Sequence, residues 1–396
     1  MMFLLLPAFT VSSVDIKHLS AFLRCSNLTI STKKTLLFKL DRHPIFLVNQ
    51  FFSIPSLTLK SLKIKDSSVP LFYGNRIHLN LIDVDFYNIF NRTIKIENHI
   101  YVDDGAGVVE SNLTLLHCRF YDCVYHDDFG GALGIINSSV ICRDSIFEAC
   151  ISLYGGAVYA ENSKLKFQNS NFTYNYANKA GSMALSSCST ELSNCVFYLC
   201  EAKLASTVSF YRDEGFFVEK CKFVNNIADE GVCVHINNAK GLIRQCEFFH
   251  NICESMSIGS GNSGVICCNN PQVNIVSCKF AENTKDVGYE PDIDIYVSGT
   301  GLTSVRFCQF DKKVEYAILK IPKQDLYLHI TNCEHKIEMD FVSQKIMRDS
   351  SQYSDTFKNN FSNSQSLNFL IVAITGTVVM LIFVICFLSC LVGSLF

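Results

Sequence analysis

Across most of the chain, apolar and polar residues alternate one for one. Leu113-x-Leu115, Cys118-x-Phe120, Leu165-x-Phe167 and Val273-x-Ile275 are typical stretches. A period of two predicts short strands with one face buried. Helical spacing is scarce between residues 100 and 315. The alternation also comes in register with itself. Gly131, Gly156, Gly181, Ser206 and Gly231 follow one another at 25 residues, and Gly264 resumes the series after an insertion of eight. A second marker runs alongside: Phe120, Phe147, Phe172, Phe197, Phe223, Phe248, Phe280 and Phe310, at spacings of 27, 25, 25, 26, 25, 32 and 30. Two markers in phase over that many units define a true repeat.

Short strands, a period in the twenties and no helices predict a parallel β-helix, one repeat per coil. Coils stack about 4.8 Å apart, so inward Phe should lie on Phe and Leu on Leu. Fainter coils extend upstream through Leu79, Leu81, Val84 and Phe86, then Leu57, Leu59, Leu62 and Ile64, with Leu28 and Ile30 as a start. That makes about eleven coils and a rod of about 50 Å. Gly155-Gly156 then reads as a corner, because glycine supplies backbone angles that other residues resist. A phosphate cradle would need a helix after the glycines and would not recur in every coil.

The ends have a different composition. Residues 369–396 carry no charge, long enough for a membrane span or for the tail of a lipid-anchor signal. Residues 1–13 form a candidate signal peptide, with a mature start near Val14. Between them the reading places an N-terminal cap and irregular coils at 14–100, regular repeats at 101–315, a C-terminal cap at 316–345, a polar stalk at 346–366 and the span at 367–396. The net charge of −3 and the lack of a basic run argue against a nucleic-acid partner.

Gly130-Gly131-Ala132-Leu133 and Gly155-Gly156-Ala157-Val158 resemble the GGA[ILV] tetrapeptide of the polymorphic outer-membrane-protein repeats, first defined in chlamydial surface proteins. Phe172-x-x-Asn175, Phe223-x-x-Asn226, Phe248-x-x-Asn251 and Phe280-x-x-Asn283 resemble the FxxN partner of that motif. The resemblance covers about residues 105–312. It implies a right-handed parallel β-helix on a cell surface, with adhesion as the usual role. Cys123, Cys150 and Cys200 stand where the pattern has Asn, and only two glycine units are complete. No run of alternating ten-residue strands follows residue 340, so the bacterial membrane barrel is not matched. The chain is more similar to single-span versions in protists such as trichomonads.

The cysteine count of 19 is high; two lie in the apolar tail, and the remaining 17 are odd for a disulfide framework. Cys195, Cys221, Cys246, Cys278 and Cys308 each stand two residues before a marker Phe and should point inward. Stacked Cβ atoms about 4.8 Å apart exceed disulfide reach, so a ladder of buried thiols is expected. Cys123–Cys150 is the candidate corner disulfide. No CxxC pair or Cys/His spacing suggests zinc, and no metal or cofactor is expected. The recurring Asn175, Asn226, Asn251 and Asn283 predict an amide ladder at one corner.

Asp103-Asp104 and Asp127-Asp128 occupy equivalent places counted back from Gly107 and Gly131, and test the idea of an enzyme. Clustered Asp serves Ca²⁺ or acid–base chemistry in β-helix lyases and hydrolases. The series ends after two rungs, with Ser152 and Leu153 at the next equivalents, so solvated turn carboxylates are the preferred reading. Sequons occur at Asn27, Asn91, Asn112, Asn137, Asn171 and Asn360; Asn112 and Asn171 precede inward residues and should face out. The expectation is a single-pass plasma-membrane protein with its β-helix outside, a non-enzymatic adhesin or interaction scaffold for an extracellular protein or glycan. Ser255–Ser263 supplies one candidate contact loop. The alternatives are a polysaccharide lyase or hydrolase acting on acidic glycans and a structural coat component.

Overall fold

The structure is a computed structural model of the 396-residue chain. It describes residues 27–31, 37–40, 46–48, 56–67, 72–74, 78–97, 111–204, 206–228, 231–254, 264–285, 292–320 and 325–335. All of these belong to the first of two units, residues 1–338. The candidate signal peptide, stalk and span lie outside the described residues. No helix among the described residues is long and apolar enough to cross a membrane.

One coil shows how the repeat is built. Four short strands, Val158–Glu161, Lys164–Gln168, Asn171–Thr173 and Tyr176–Lys179, follow one another with two-residue corners between them. Each pairs in parallel with its counterpart 25 residues on: Val158 with Met183, Leu165 with Thr190, Phe172 with Phe197, Tyr176 with Glu201. The chain is therefore an all-β parallel β-helix. The upstream coils keep the expected register, with Leu57 on Leu79, Leu59 on Leu81, Leu62 on Val84 and Ile64 on Phe86. Leu28 on Leu57 begins it. Against the about eleven coils expected in all, about nine carry the phenylalanine stack from Phe86 to Phe310. Part of the segment read as a C-terminal cap is described. Leu326–Thr331 pairs with Gly301–Arg306 and leaves Tyr327 exposed.

The core consists of columns, each made of one inward position repeated. The phenylalanine column has ring centroids 4.7–5.0 Å apart and nearly parallel planes. Strand spacing of about 4.7–4.9 Å imposes that distance, and each stacked pair adds about 0.5–1.5 kcal/mol beyond its burial.

Glycines make only one of the four corners. At the others a non-glycine residue takes positive φ, as at His117, Asp144, Asn169 and Asn194, or at Asn137, Asn162 and Ser187. A left-handed residue costs about 1–2 kcal/mol unless its side chain or backbone is compensated. Here the corner N–H groups stay bonded. Asp144 N–H donates to Gln168 O at 3.0 Å, and Asn169 N–H to Ser193 O at 3.0 Å. The ladder thus runs around the bend. At Gly155 (φ 62°) the same conformation recurs. A Cβ on Gly156 would collide with the carbonyl oxygens of Gly181 and Tyr176.

The expected asparagine ladder is present and buried. Asn226 Nδ2 donates to Phe197 O at 3.1 Å and to Asn251 Oδ1 at 3.0 Å; Asn251 repeats this with Phe223 O and Asn283 Oδ1. The backbone N–H of Asn226 also donates to Asn251 Oδ1. Where cysteine replaces Asn, the thiol takes over one bond in weaker form: Cys200 Sγ approaches Phe172 O at 3.3 Å and Cys150 Sγ approaches Phe120 O at 3.7 Å. Asp294 ends the ladder, accepting from Asn283 Nδ2 at 3.1 Å, with Lys312 Nζ 3.6 Å from its other oxygen. Asn251→Ala should therefore cost about 1–3 kcal/mol for each buried group it orphans. Asn251→Cys should recover part of that, measured as urea midpoints of the two variants against the parent chain.

Candidate interaction surface

Because inward positions are filled by core, contact with an external partner falls to outward positions and corners. The clearest concavity lies over four neighbouring strands, Ser138–Arg143, Lys164–Gln168, Ser189–Ser193 and Gly215–Glu219. Their outward central column reads Ile141, Lys166, Glu191 and Phe217, paired in register across the coils. Ser139 and Ser189 are small, and a Cβ on Gly215 would meet nothing within 4 Å. The result is an open groove of about 710 Å³. Lys166 Nζ lies 2.8 Å from Glu191 Oε2, and Arg244 pairs with Glu219 while its guanidinium lies 5.3 Å over the Phe217 ring. Exposed pairs of this kind add less than about 1 kcal/mol each to stability. Their effect is to set a pattern of charge and an aromatic face across successive coils.

A second cluster lies on the adjacent face. Glu148 pairs in register with Tyr121, and Asp122 occupies the left-handed corner beside it. Burial raises the carboxyl pKa of both, and the Glu148 charge raises Asp122 further. The charge of Asp122, with burial, holds the Tyr121 phenol up. Tyr121 lies 5.8 Å from Tyr87, over which Lys63 Nζ sits at 4.3 Å. Paired carboxyls with raised pKa beside aromatic rings can do acid–base work on a sugar.

The register counted back from the glycines does not hold at the second candidate Asp pair. Asp103 and Asp104 lie outside the described residues. Asp127 and Asp128 fall in the strand Arg119–Phe129, but Ser152 pairs with Tyr125 and Tyr154 with Phe129. Residues 126–128 therefore bulge opposite Leu153, and Ser152 is not the counterpart of Asp127. The 27-residue spacing from Phe120 to Phe147 puts the two extra residues there. Arg92, 4% exposed, braces this bulge by donating from Nε to Phe129 O at 2.7 Å and lying 5.1 Å over Tyr125.

Among the sequons, Asn112 and Asn171 are exposed, and Asn137 is half-buried at a left-handed corner. Asn91 Oδ1 accepts the Arg92 N–H at 2.7 Å, and Thr93 of that sequon is fully buried. Asn27 lies on the first strand, and Asn360 lies outside the described residues. The sixteen described cysteines are thiols, every one buried except Cys333. Cys123 and Cys150 stand as thiols on adjacent coils rather than as the corner disulfide expected. Burial pushes the Cys200 thiol up to about 11 and those of Cys142 and Cys268 to about 12. No group of three or more potential metal ligands converges among the described residues.

Two buried acids escaped the sequence reading. Asp213 accepts the Cys188 N–H at 2.8 Å through Oδ1, while Oδ2 has no hydrogen-bond partner. Burial pushes its carboxyl up to about 7, against the lowering effect of the Cys188 bond. Asp294 is likewise raised to about 7 by burial. Both are buried caps; Asp213 bonds the residue before Ser189 and stands two residues before Gly215, at the edge of the groove lining.

Residues 155–335 match the family described as a right handed beta helix region. The helix is right-handed. No curated protein matches the chain. Among solved structures, the catalytic unit of a thermostable GH87 α-1,3-glucanase from Streptomyces thermodiastaticus is similar at 9% identity and a TM-score of 0.28. The match covers 81% of this chain and 65% of that one, so the chain spans less than two thirds of its length. A likeness at that level carries no argument about activity.

The Asp213 geometry fixes a pH dependence. A carboxyl whose folded pKa is raised favours folding when protonated. Its contribution is complete below the unfolded pKa near 4 and is lost as pH rises through about 7. Stability should fall by up to about 4 kcal/mol over that window. Asp213→Asn should remove this share of the slope and be the more stable protein at pH 8, as read from urea denaturation at pH 4.5 and 8.

Proposed function

We propose that the chain is a surface-displayed β-helix that acts by binding, as an adhesin or interaction scaffold. One observation carries this reading: the two sides of each strand obey different rules. Inward columns keep to residues that pack: the phenylalanine stack repeats one residue, and the column Leu115, Cys142, Phe167, Leu192 and Val218 varies but stays apolar. Outward columns change at every step, from Ile141 to Lys166, Glu191 and Phe217. Packing asks nothing of those outward residues, so their chemistry is free to serve a partner. The groove crosses four coils, so an extended protein segment or glycan would meet a different side chain about every 4.8 Å.

The candidate signal peptide and the apolar run at 369–396 would place the rod outside the plasma membrane, anchored once in the bilayer. The resemblance to polymorphic outer-membrane-protein repeats, in their single-span form, favours adhesion over a passive coat. Display of residues 14–365 on an inert cell should raise attachment to at least one surface in a panel of matrix proteins and glycans. A Lys166→Ala/Phe217→Ala double variant should lose most of that gain with an unchanged melting temperature. No gain on any surface would sink the reading.

A polysaccharide hydrolase is the second reading, and the Asp122–Glu148 pair is what favours it. It requires the full chain to release reducing ends from an acidic glycan, with Glu148→Gln and Asp122→Asn each lowering the rate by at least about 100-fold. A full glycan panel without turnover leaves the binding reading alone.

A further inference from the structure

One inward column of the rod is built from sulfur. Cys195, Cys221, Cys246, Cys278, Cys308 and Cys333 stand on six successive coils, each just after a left-handed corner residue. Their backbones are in register. The N–H groups of Lys222, Glu247, Lys279, Gln309 and Glu334 donate to the carbonyls of the first five cysteines at 2.9–3.0 Å. Their side chains point the same way. Every Sγ approaches the carbonyl two residues earlier at 3.4–3.6 Å. Every Sγ also approaches a carbonyl of the preceding coil at 3.5–3.8 Å. Identical orientation on stacked coils separates neighbouring sulfurs by one coil rise, about 4.7–4.9 Å.

That distance selects among the chemistries open to two thiols. A disulfide needs sulfurs about 2.05 Å apart and Cβ atoms about 3.5–4.5 Å apart, so the coils would have to close up. A tetrahedral zinc site needs four converging ligands, and no group of even three is present among the described residues. A cation held in line between two thiolates at about 2.3 Å each separates the sulfurs by about 4.6 Å, close to the coil rise. Soft thiolate ligands of this kind select Cu(I) and its heavier congener.

We propose that this column binds monovalent soft d¹⁰ ions, Cu(I) or Ag(I), each held linearly between cysteines of successive coils. Each ion that enters breaks one S–H bond, forms S–metal bonds to both neighbours and sends one proton to solvent. No electron is transferred. Six stacked thiols leave five intervals. With one end thiol kept protonated, five cations balance five thiolates, and a filled column is neutral, as burial in an apolar core demands. Cys333, the only described cysteine that is not fully buried, marks the end through which ions enter.

The fold provides its own control. Upstream, the same column carries Ser145 and Ser170, whose hydroxyls bond to Arg143 O at 2.8 Å and Gln168 O at 3.0 Å just as the thiols do. Cysteine-to-serine changes are therefore compatible with the coil. The full chain is titrated anaerobically with Ag(I), with bound metal, released protons and far-UV dichroism followed together. One proton per ion, two sulfurs per silver by X-ray absorption and an unchanged β signal are expected. Cys221→Ser/Cys278→Ser leaves only the Cys308–Cys333 interval and should bind four fewer ions; Cys246→Ser should bind two fewer. Cys188→Ser, outside the column, should bind as many as the parent. Equal binding by the parent and the column variants overturns the proposal. So does uptake only with loss of the β signal, or coordination by three or more sulfurs.

Discussion

The rise from one coil to the next governs the rest of the molecule. Parallel strands pair about 4.8 Å apart, and every inward side chain then sits that far from its copy. Residue types that interact well with themselves at this distance persist down a column. Phenylalanine stacks face to face, asparagine donates an amide hydrogen bond to the next asparagine, and serine or cysteine reaches back to a corner carbonyl. Types that repel their copy end a column. Asp294 caps the amide ladder because the next partner is a lysine, not another acid.

The same rise explains which parts were legible in the sequence. The phenylalanine and asparagine columns could be read directly, since a column repeats one letter at the coil period. Corners were harder. Gly155-Gly156 stood out, but most bends use Asn, Asp, His or Lys in the left-handed conformation, a choice that varies from coil to coil. Their compensation comes from backbone bonds to the next coil, which no letter records. The register of Asp127 and Asp128 went astray because it was counted back from Gly131. The bulge lies between Tyr125 and Phe129, so counting from Phe120 to Phe147 locates the extra residues.

The candidate surface was the least legible part, for a related reason. An outward column has no self-interaction to preserve, so Ile141, Lys166, Glu191 and Phe217 leave no periodic trace. Glu148 was likewise hidden, since it belongs to no motif and only strand pairing sets it beside Tyr121 and its chain neighbour Asp122. Asp213 could have been noticed. It stands 25 residues after Cys188 and 50 after Ser163, in a column of small polar caps, and is the one charged residue there.

The spacing of the phenylalanines varies from 25 to 34 residues, yet their rings stay 4.7–5.0 Å apart. Phe248 and Phe280 are 32 residues apart, yet their rings lie 4.8 Å apart like the others. The rod therefore measures length in turns, and whatever is grafted at a corner is presented at a height quantised in steps of one coil. A lineage can exchange such loops freely while their vertical order, like rungs on a gauge, is preserved.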